Sequence, residues 1–253
     1  MHSDWLLPDW PAPATVRAVC TTRADGVSEP PYQSLNLGDH VGDSPVVVQQ
    51  NRQRLAQTLG VRPVFMTQVH GTRALQLSAV PGDGVEADAC WTQTPRLACT
   101  IMVADCLPVL LTDDSGTFVA AAHAGWRGLA SGVIESLATQ LKTHLRKEPN
   151  ELLAWLGPCI GPGAYEVGEE VKAEFGQHIV AADRFFKASA RSGKWLADLP
   201  GLAREQLRGI GVDRIHGNDG SPEWCTLGNP SRFFSHRRDR ITGRMAACIW
   251  LDR

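Results

Sequence analysis

The sequence predicts a mixed α/β fold in a single domain. Apolar runs typical of strands alternate irregularly with amphipathic runs typical of helices, which favours mixed sheets over one regular parallel sheet. The chain has 253 residues, of which 43% are hydrophobic and 21% charged, an ordinary globular composition. No linker, low-complexity segment or internal repeat divides it. We therefore expect one domain over residues 1–253.

The elements of the first half follow from apolar patterning and turn residues. TVRAVCTTR predicts a strand, and residues 24–45 form a long polar loop rich in Gly and Pro. PVVVQQNRQRLAQTLG predicts a helix that Gly60 closes. RPVFMTQVHG predicts a strand that ends at His70 and Gly71, where the glycine lets the backbone turn. RLACTIMVA is continuously apolar and predicts a buried strand.

The second half begins with a predicted hairpin, in which LPVLLT and TFVAAAH flank the turn DDSG. Just after HAGWRG, five apolar residues spaced by four predict one amphipathic helix: Leu129, Val133, Leu137, Leu141 and Leu145. ELLAWLGPCIG predicts a strand, and EVGEEVKAEFGQHI a helix. LADLPGLAREQLRGIGV predicts a helix opened by Pro200, and RFFSHRRDRITGRMAACIWL two closing strands.

Charge and cysteine content limit the partners and the compartment. The net charge is −2 and the basic residues are scattered, which argues against nucleic acid but allows a small phosphorylated substrate. No apolar run approaches the roughly 20 residues of a membrane span, and the N-terminus lacks a signal-peptide pattern. Seven cysteines without disulfide-like clustering predict a reducing compartment. We expect a cytoplasmic monomer or small homo-oligomer.

The predicted hairpin brings a thiol and an imidazole together. A turn centred on Asp114 and Ser115 places Cys106 directly opposite His123, with Cβ atoms about 4.5–5.5 Å apart on one face of the sheet. Such a pair suits either a shared metal ion or a direct thiol–imidazole contact. The opposition depends on register, because a slip of one residue would turn one side chain to the other face.

His70 is the best third member of this group. It ends a predicted strand, where sites are commonly built, whereas the other histidines have no partner at metal-ligand spacing. Two nitrogens and one sulfur suit zinc and leave a fourth position for water or substrate. Copper would bind the same donors as an adventitious metal. Cys225 is a less favoured candidate for a fourth ligand.

Several blocks of the chain, in order, resemble the YfiH or laccase-domain family. These blocks are TTRADGVSEPPYQSLNLGDHVGD, MTQVHG, ADCLPVLL, AAAHAGWRG, GPCIGPGAYEVGEEV, FFSHRRD and TGRMA. The resemblance implies a single-domain four-layer α/β/β/α sandwich with mixed sheets and a zinc held by His70, Cys106 and His123. It also implies phosphorolysis of purine nucleosides, adenosine deamination and methylthioadenosine cleavage. Many relatives have cysteines where this chain has Gly163 and Ala164, so any role of a thiol there is absent.

The leading functional hypothesis is therefore a zinc-dependent purine nucleoside enzyme with nucleoside and phosphate as its small-molecule partners. The first alternative is a cysteine hydrolase, with Cys106 as nucleophile and His123 as base, acting on a peptidoglycan precursor or another amide. A copper-dependent polyphenol oxidase is less favoured, because a multicopper centre needs many histidines in closely spaced pairs. A non-catalytic zinc-stabilised module is the fourth possibility, against which the open metal position and the long polar loop argue.

Substrate contacts are predicted at three polar residues. Arg127 offers a guanidinium fork for phosphate beside a predicted helix start, and Arg23 and Asn36 flank or lie in the long loop. Trp126 is compatible with stacking on a purine, but covering the core is slightly favoured. Asp105 is either an acid–base group or a structural one. The basic run that includes Arg237, Arg238 and Arg244 is expected to be a solvated face.

Overall fold

The computed structural model describes residues 2–78 and 83–252. Its strands are β1 (Val16–Cys20), β2 (Arg62–Phe65), β3 (Ala74–Gln76), β4 (Ala89–Thr92), β5 (Leu97–Val103), β6 (Leu107–Asp113), β7 (Val119–Ala124), β8 (Leu152–Leu156), β9 (Glu166–Gly168), β10 (Phe186–Ala188), β11 (Lys194–Ala197), β12 (Arg214–Gly217) and β13 (Met245–Leu251). Its α-helices are α1 (Pro45–Leu59), α2 (Trp126–Ala130), α3 (Val133–Leu145), α4 (Glu169–His178), α5 (Leu199–Gly209) and α6 (His236–Asp239). No helix within the described residues is long and apolar enough to cross a membrane.

Two mixed sheets form the centre of the molecule. The larger has the order β12-β8-β6-β7-β4-β3 and the smaller the order β1-β13-β5-β2. Each combines antiparallel pairs with parallel ones, β12 with β8 and β3 with β4 in the larger sheet, and β2 with β5 in the smaller. A separate antiparallel sheet has the order β10-β11-β9. The predicted mixed α/β class is confirmed.

Side-chain alternation along the strands divides the core into three layers. On β6, Leu111 belongs to the same buried cluster as Leu137 of α3 and Leu202 of α5, whereas its neighbour Leu110 belongs to the cluster of Ile101 of the other sheet. A third cluster fills the space between the smaller sheet and α1, where Leu55 lies. Helices, sheet, sheet and helix therefore follow one another, and the α/β/β/α sandwich is confirmed.

The hairpin of β6 and β7 forms as predicted, but its register differs by two residues. His123 is paired with Pro108 and not with Cys106, which lies just before β6. The connection is longer than a tight turn, because the Asp113 carboxylate accepts hydrogen bonds from both the backbone N–H and the hydroxyl of Thr117. A shift of two residues preserves the faces of the strands. Cys106 therefore stays on the side of His123.

The prediction of a single long helix after HAGWRG is wrong. The chain forms the short helix α2 and then α3, separated at Gly132, which has a left-handed φ of 91°. That conformation is favourable for glycine and stops the first helix. Leu129, Val133, Leu137 and Leu141 are nevertheless all buried, so the spacing identified a buried face correctly.

At the C-terminal end only one of the two predicted strands forms, β13. The preceding segment instead makes the helix α6, whose N-cap Ser235 accepts a hydrogen bond from the backbone N–H of Arg238. The helix α1 ends as predicted, since Gly60 caps it in the left-handed conformation. The predicted N-terminal strand forms as β1 and pairs with β13.

Candidate functional site: a His–Cys–His cluster in a polar cavity

Three side chains from different parts of the chain meet where β5, β6 and β7 end or begin. One donor atom from each of His70, Cys106 and His123 lies within 4.8 Å of the others. The Cys106 Sγ is 3.6 Å from the His70 Nε2, and the two imidazole rings meet edge to face with centroids 4.7 Å apart. We call this group the His–Cys–His cluster. The structure thus brings together the three residues that the sequence analysis grouped.

His70 reaches the cluster by a different local structure from the one predicted. The strand β2 already ends at Phe65, and His70 itself has a left-handed φ of 62°. The backbone N–H groups of Val69, His70 and Gly71 bond to the carboxylate of Asp88 and not to a neighbouring strand. The prediction of a strand that extends to His70 was therefore wrong. Hydrogen bonds to the Asp88 carboxylate hold this loop in position.

Asp88 also fixes the orientation of His123. Its Oδ1 is 2.8 Å from the His123 Nδ1. Because a carboxylate only accepts hydrogen bonds, Nδ1 is the protonated nitrogen and Nε2 remains available to a metal. Sequence analysis missed Asp88, which is fully enclosed. Its position just before β4 in an apolar context was the one signal that could have identified it.

Glycines of the AGWRG segment make room for the cluster. A Cβ at Gly125 would lie 2.7 Å from the His70 Cδ2 and 2.9 Å from the Cys106 Sγ, closer than carbon and sulfur atoms pack. A Cβ at Gly128 would lie 3.0 Å from the carbonyl oxygen of Gly71. The segment after β7 therefore passes directly against His70 and its loop.

Electrostatics favour a charged thiolate in this cluster. Burial alone would raise the pKa of Cys106, but the charge of His123 and hydrogen bonds with His123 and His70 outweigh it and lower the pKa to about 6. Burial would lower the pKa of His123, but the Cys106 charge and the Asp88 hydrogen bond raise it to about 9. Burial would raise the pKa of Asp88, but hydrogen bonds from His123 and Gly71 outweigh it and lower the pKa.

The donor set fits a metal ion of the zinc type. Bonds of about 2.1 Å to nitrogen and 2.3 Å to sulfur at a tetrahedral angle separate the two donor atoms by about 3.6 Å, which agrees with the distance between Cys106 and His70. Two imidazoles and one thiolate suit zinc or copper, and three ligands leave one position open. Among residues 2–78 and 83–252 this is the one group of three His, Cys, Asp or Glu side chains that could hold a metal.

The cluster forms part of the wall of a cavity of about 380 Å³, within the range of small-molecule sites. The other lining side chains are mostly polar, basic or aromatic: His40, Gln68, Asp105, Trp126, Arg127, Tyr165, His236, Arg237 and Arg244. The Arg127 guanidinium lies 4.3 Å from the Trp126 ring, and that of Arg237 lies 5.4 Å from the Tyr165 ring. Arg127 lines the same cavity as the cluster, and Trp126 contacts both the core and the cavity.

The structure does not bring Arg23 or Asn36 to this cavity, whose lining includes neither. Asn36 is fully buried, and its amide bonds to Gly38, Asp43 and the backbone N–H of Arg244. Arg23 donates to the carbonyl oxygens of Gln33 and Pro230. These contacts use the polar groups of both residues to hold the long loop, which corrects the prediction that they face substrate.

The expected solvated face near the C-terminus is also wrong. Arg237 and Arg244 line the cavity, and Arg238 donates to the carbonyl oxygens of Thr226, Leu227 and Phe233. Asp105 brings this segment to the site, since its carboxylate accepts hydrogen bonds from the Thr226 hydroxyl (2.6 Å) and the Arg237 backbone N–H (2.7 Å). Each oxygen of Asp105 thus accepts a hydrogen bond, which joins these two neighbours to the wall of the cavity.

The remaining cysteines lie outside the cluster. Cys20, Cys90, Cys99, Cys159, Cys225 and Cys248 are buried and free. Cys225, considered as a fourth ligand, accepts a hydrogen bond from the backbone N–H of Gly161 and is not a member of the metal-capable group.

The fold and the cluster together define a single-domain α/β/β/α protein with a metal-capable centre at a cavity wall. A family model described as multi-copper polyphenol oxidoreductase laccase matches residues 17–252, and the chain belongs to this family.

Relatives and solved structures extend over almost the whole chain. A Pseudomonas aeruginosa protein named purine nucleoside phosphorylase is 50% identical, with 98% of each chain covered. The Escherichia coli purine nucleoside phosphorylase YfiH is 48% identical, covering 98% of this chain and 99% of its own. The crystal structure of the Neisseria meningitidis protein NMB0706 has a TM-score of 0.93 at 45% identity, covering 99% of this chain and 100% of its own.

Proposed function

We propose that this chain is a zinc-dependent purine nucleoside phosphorylase that also deaminates adenosine and cleaves methylthioadenosine, within one catalytic domain. The observation that supports this most is the cavity, where the His–Cys–His cluster lies beside three arginine side chains, Arg127, Arg237 and Arg244. Phosphorolysis needs an anion held next to a bound nucleoside. The names of the relatives point to the same activity.

The chemistry of phosphorolysis explains the need for these cations. The glycosidic bond between the ribose C1′ and the purine N9 breaks, the base leaves with the electron pair, and a phosphate oxygen forms a new bond to C1′. Guanidinium groups bind phosphate oxygens through paired hydrogen bonds and place the attacking oxygen. The Arg127 guanidinium has no hydrogen bond to another described residue and lies over the Trp126 ring, so its donors remain available to phosphate.

The cluster accounts for the hydrolytic part of the proposal. A zinc ion held by these three residues would supply Lewis-acid chemistry and would lower the pKa of water toward neutrality, which suits replacement of an amino group by water. Residues of this chain prepare the site: Asp88 holds His123 with Nε2 available, and Asp88 also holds the loop of His70. Tyr165 and Trp126 offer aromatic faces for a purine.

The test is cleavage of inosine with and without inorganic phosphate. We expect cleavage to require phosphate and to yield ribose 1-phosphate. Arg127→Ala should raise the KM for phosphate by at least tenfold, while the exposed Arg208→Ala, on the distant helix α5, should leave it unchanged. Release of free ribose at an equal rate without phosphate would contradict the proposal. An unchanged phosphate KM in Arg127→Ala would show that Arg127 does not contact phosphate.

A second candidate, a cysteine hydrolase acting on an amide, is favoured by one observation. Asp88, His123 and Cys106 form a connected series, and the pKa of Cys106 is lowered to about 6. This is the arrangement of a nucleophile, a base and a group that orients the base. The geometry of His70 favours the zinc proposal instead, because a thiol and its base would not need it.

His70→Ala distinguishes the two candidates. If the cluster binds zinc, this variant should lose nucleoside turnover, and Cys106 should become reactive toward iodoacetamide. If Cys106 is a hydrolase nucleophile, turnover of the hydrolase substrate should persist. His178→Ala, an exposed histidine at the end of α4, is the matched control. An active His70→Ala enzyme with a covalently modified Cys106 would favour the hydrolase.

A further inference from the structure

A second, polar depression adjoins the cavity of the His–Cys–His cluster. It has a volume of about 330 Å³ and shares Trp126, Arg127, Tyr165 and Arg237 with the cavity. We call it the flanking depression. The two arginines stacked on aromatic rings thus form the boundary between the spaces. The two spaces are therefore neighbours, separated by side chains and not by the core.

The far wall of the flanking depression adds two more cations, Arg191 from the turn between β10 and β11 and Lys194 from the start of β11. This turn is closed by hydrogen bonds between backbone groups, from Lys194 to Arg191 and from Ser189 to Lys194. The proposed function uses neither residue. Four basic side chains therefore surround one depression in a protein whose net charge is −2.

Glu166 holds two of these basic groups, Arg191 and Arg237, in place. Its carboxylate accepts from the Ser189 hydroxyl at 2.6 Å and pairs with Arg191 at 2.9 Å. Its backbone carbonyl oxygen accepts from the Arg237 guanidinium at 2.7 Å. One residue thus connects the β10–β11 turn with the boundary of the cavity. Arg191 and Arg237 are thus positioned before any ligand binds, which lowers the entropic cost of binding.

Not all of this positive charge is compensated. The Lys194 ammonium has no ion pair or hydrogen bond among the residues that the structure describes, and the Arg127 guanidinium has only its ring contact. Glu170 is a second acidic residue of the depression, but it leaves the basic side chains in excess. Clustered cations around a concave surface attract a small dianion.

We propose that the flanking depression is a phosphoryl subsite, so that the substrate class includes purine nucleosides carrying a phosphate ester on the ribose. This inference rests on the proposed function for the nucleoside in the cavity. The phosphate ester would lie between the arginines of the boundary and Lys194. The 5′- and the 3′-phosphate are two sources of the same dianion, and the test has an arm for each.

The test compares equilibrium binding of adenosine, 5′-AMP and 3′-AMP to the purified protein by calorimetry. At least one nucleotide should bind tenfold or more tightly than adenosine. In Lys194→Met that advantage should fall at least fivefold, and in Arg191→Met it should fall as well. Lys187→Met is the control, because Lys187 is exposed on β10 and does not line the depression. Adenosine affinity serves as the internal reference in each variant.

The outcomes separate this inference from the proposed function. Nucleotide binding through Lys194 without any nucleoside cleavage would support the subsite and contradict the phosphorylase. Phosphate-dependent inosine cleavage with no nucleotide advantage would overturn the subsite and leave the phosphorylase intact. If Lys194→Met weakens binding of inorganic phosphate but not of either nucleotide, the depression belongs to the co-substrate and the inference is wrong. An advantage that persists in both variants would also overturn it.

Discussion

Asp88 and His123 are joined by a hydrogen bond of 2.8 Å between Oδ1 and Nδ1, and neither residue is more than 3% exposed. The same carboxylate accepts three backbone N–H groups from the loop that carries His70. One buried acidic residue thus places two members of the His–Cys–His cluster. Because the bonds to Asp88 are enclosed, their loss should affect the site more than a surface contact would.

The first prediction concerns Asp88→Asn. The amide retains the size of the carboxylate but lacks its charge, so it holds the His123 tautomer and the His70 loop less well. We expect zinc affinity to fall by about 10–100-fold, as is typical for groups that orient a metal-binding histidine. Competition with a chelator of known affinity measures this change. Asp113→Asn, which removes a buried carboxylate far from the cluster, should leave the affinity unchanged; an equal loss there would assign the effect to general destabilisation.

The second prediction concerns metal content. Protein purified without an affinity tag or added metal should contain about one zinc per chain, because three good donors are assembled at a cavity wall. Cys106→Ala should lose it, and Cys225→Ala should retain it, since Cys225 is buried outside the cluster. Elemental analysis by mass spectrometry is the measurement. Full zinc in Cys106→Ala would refute the ligand assignment.

The third prediction is the pH dependence of thiol reactivity in metal-free protein. The pKa of Cys106 is lowered to about 6, so the reactive thiolate forms as pH rises through about 6 and not through about 9. The rate of iodoacetamide modification should therefore increase between pH 5 and 7 and then level off. Asp88→Asn should move the midpoint upward, because His123 then holds its proton less firmly. A midpoint near 9 in the native sequence would contradict the described electrostatics.

The fourth prediction is a pH-dependent contribution to stability from Lys147 and Asp113, whose charged atoms lie 2.7 Å apart. Burial would raise the pKa of Asp113, but hydrogen bonds from Lys147 and Thr117 outweigh it and lower the pKa. The hydrogen bond to Asp113 raises the pKa of Lys147. The stability from Asp113 is present above the unfolded pKa of about 4 and is lost as pH falls through the folded value. The stability from Lys147 is present below its unfolded pKa of about 10 and is lost as pH rises through its folded pKa.

Lys147→Met should therefore destabilise the protein by about 1–3 kcal/mol near neutral pH, because it leaves the buried Asp113 carboxylate without its cation. The loss should shrink in acid. Lys142→Met, which breaks the exposed pair with Glu148, should cost no more than about 0.5 kcal/mol. Urea unfolding at pH 3, 7 and 9 measures both variants. Equal losses at every pH would show that the packing of the lysine stem, and not its charge, is responsible.

The sequence alone determined the class of fold and the members of the cluster. Apolar periodicity identified the buried faces of β5, β6, β7 and α3, because burial requires apolar side chains at the spacing of each element. His70, Cys106 and His123 could be assembled because two belong to one hairpin and hairpin partners are local. The helix end at Gly60 followed from the conformational freedom of glycine.

Only the tertiary structure decided how these parts are oriented. The register of the hairpin, the break at Gly132 and the loop of His70 depend on side-chain bonds from Asp113 and on backbone conformations that periodicity does not encode. Sequence analysis missed Asp88 and assigned Arg237 and Arg244 to a solvated face. It also placed Arg23 and Asn36 at the substrate. These errors arose because the residues that surround the cavity are distant in sequence. The role of a polar side chain depends on the groups with which it forms hydrogen bonds, and those groups come together only when the two sheets pack.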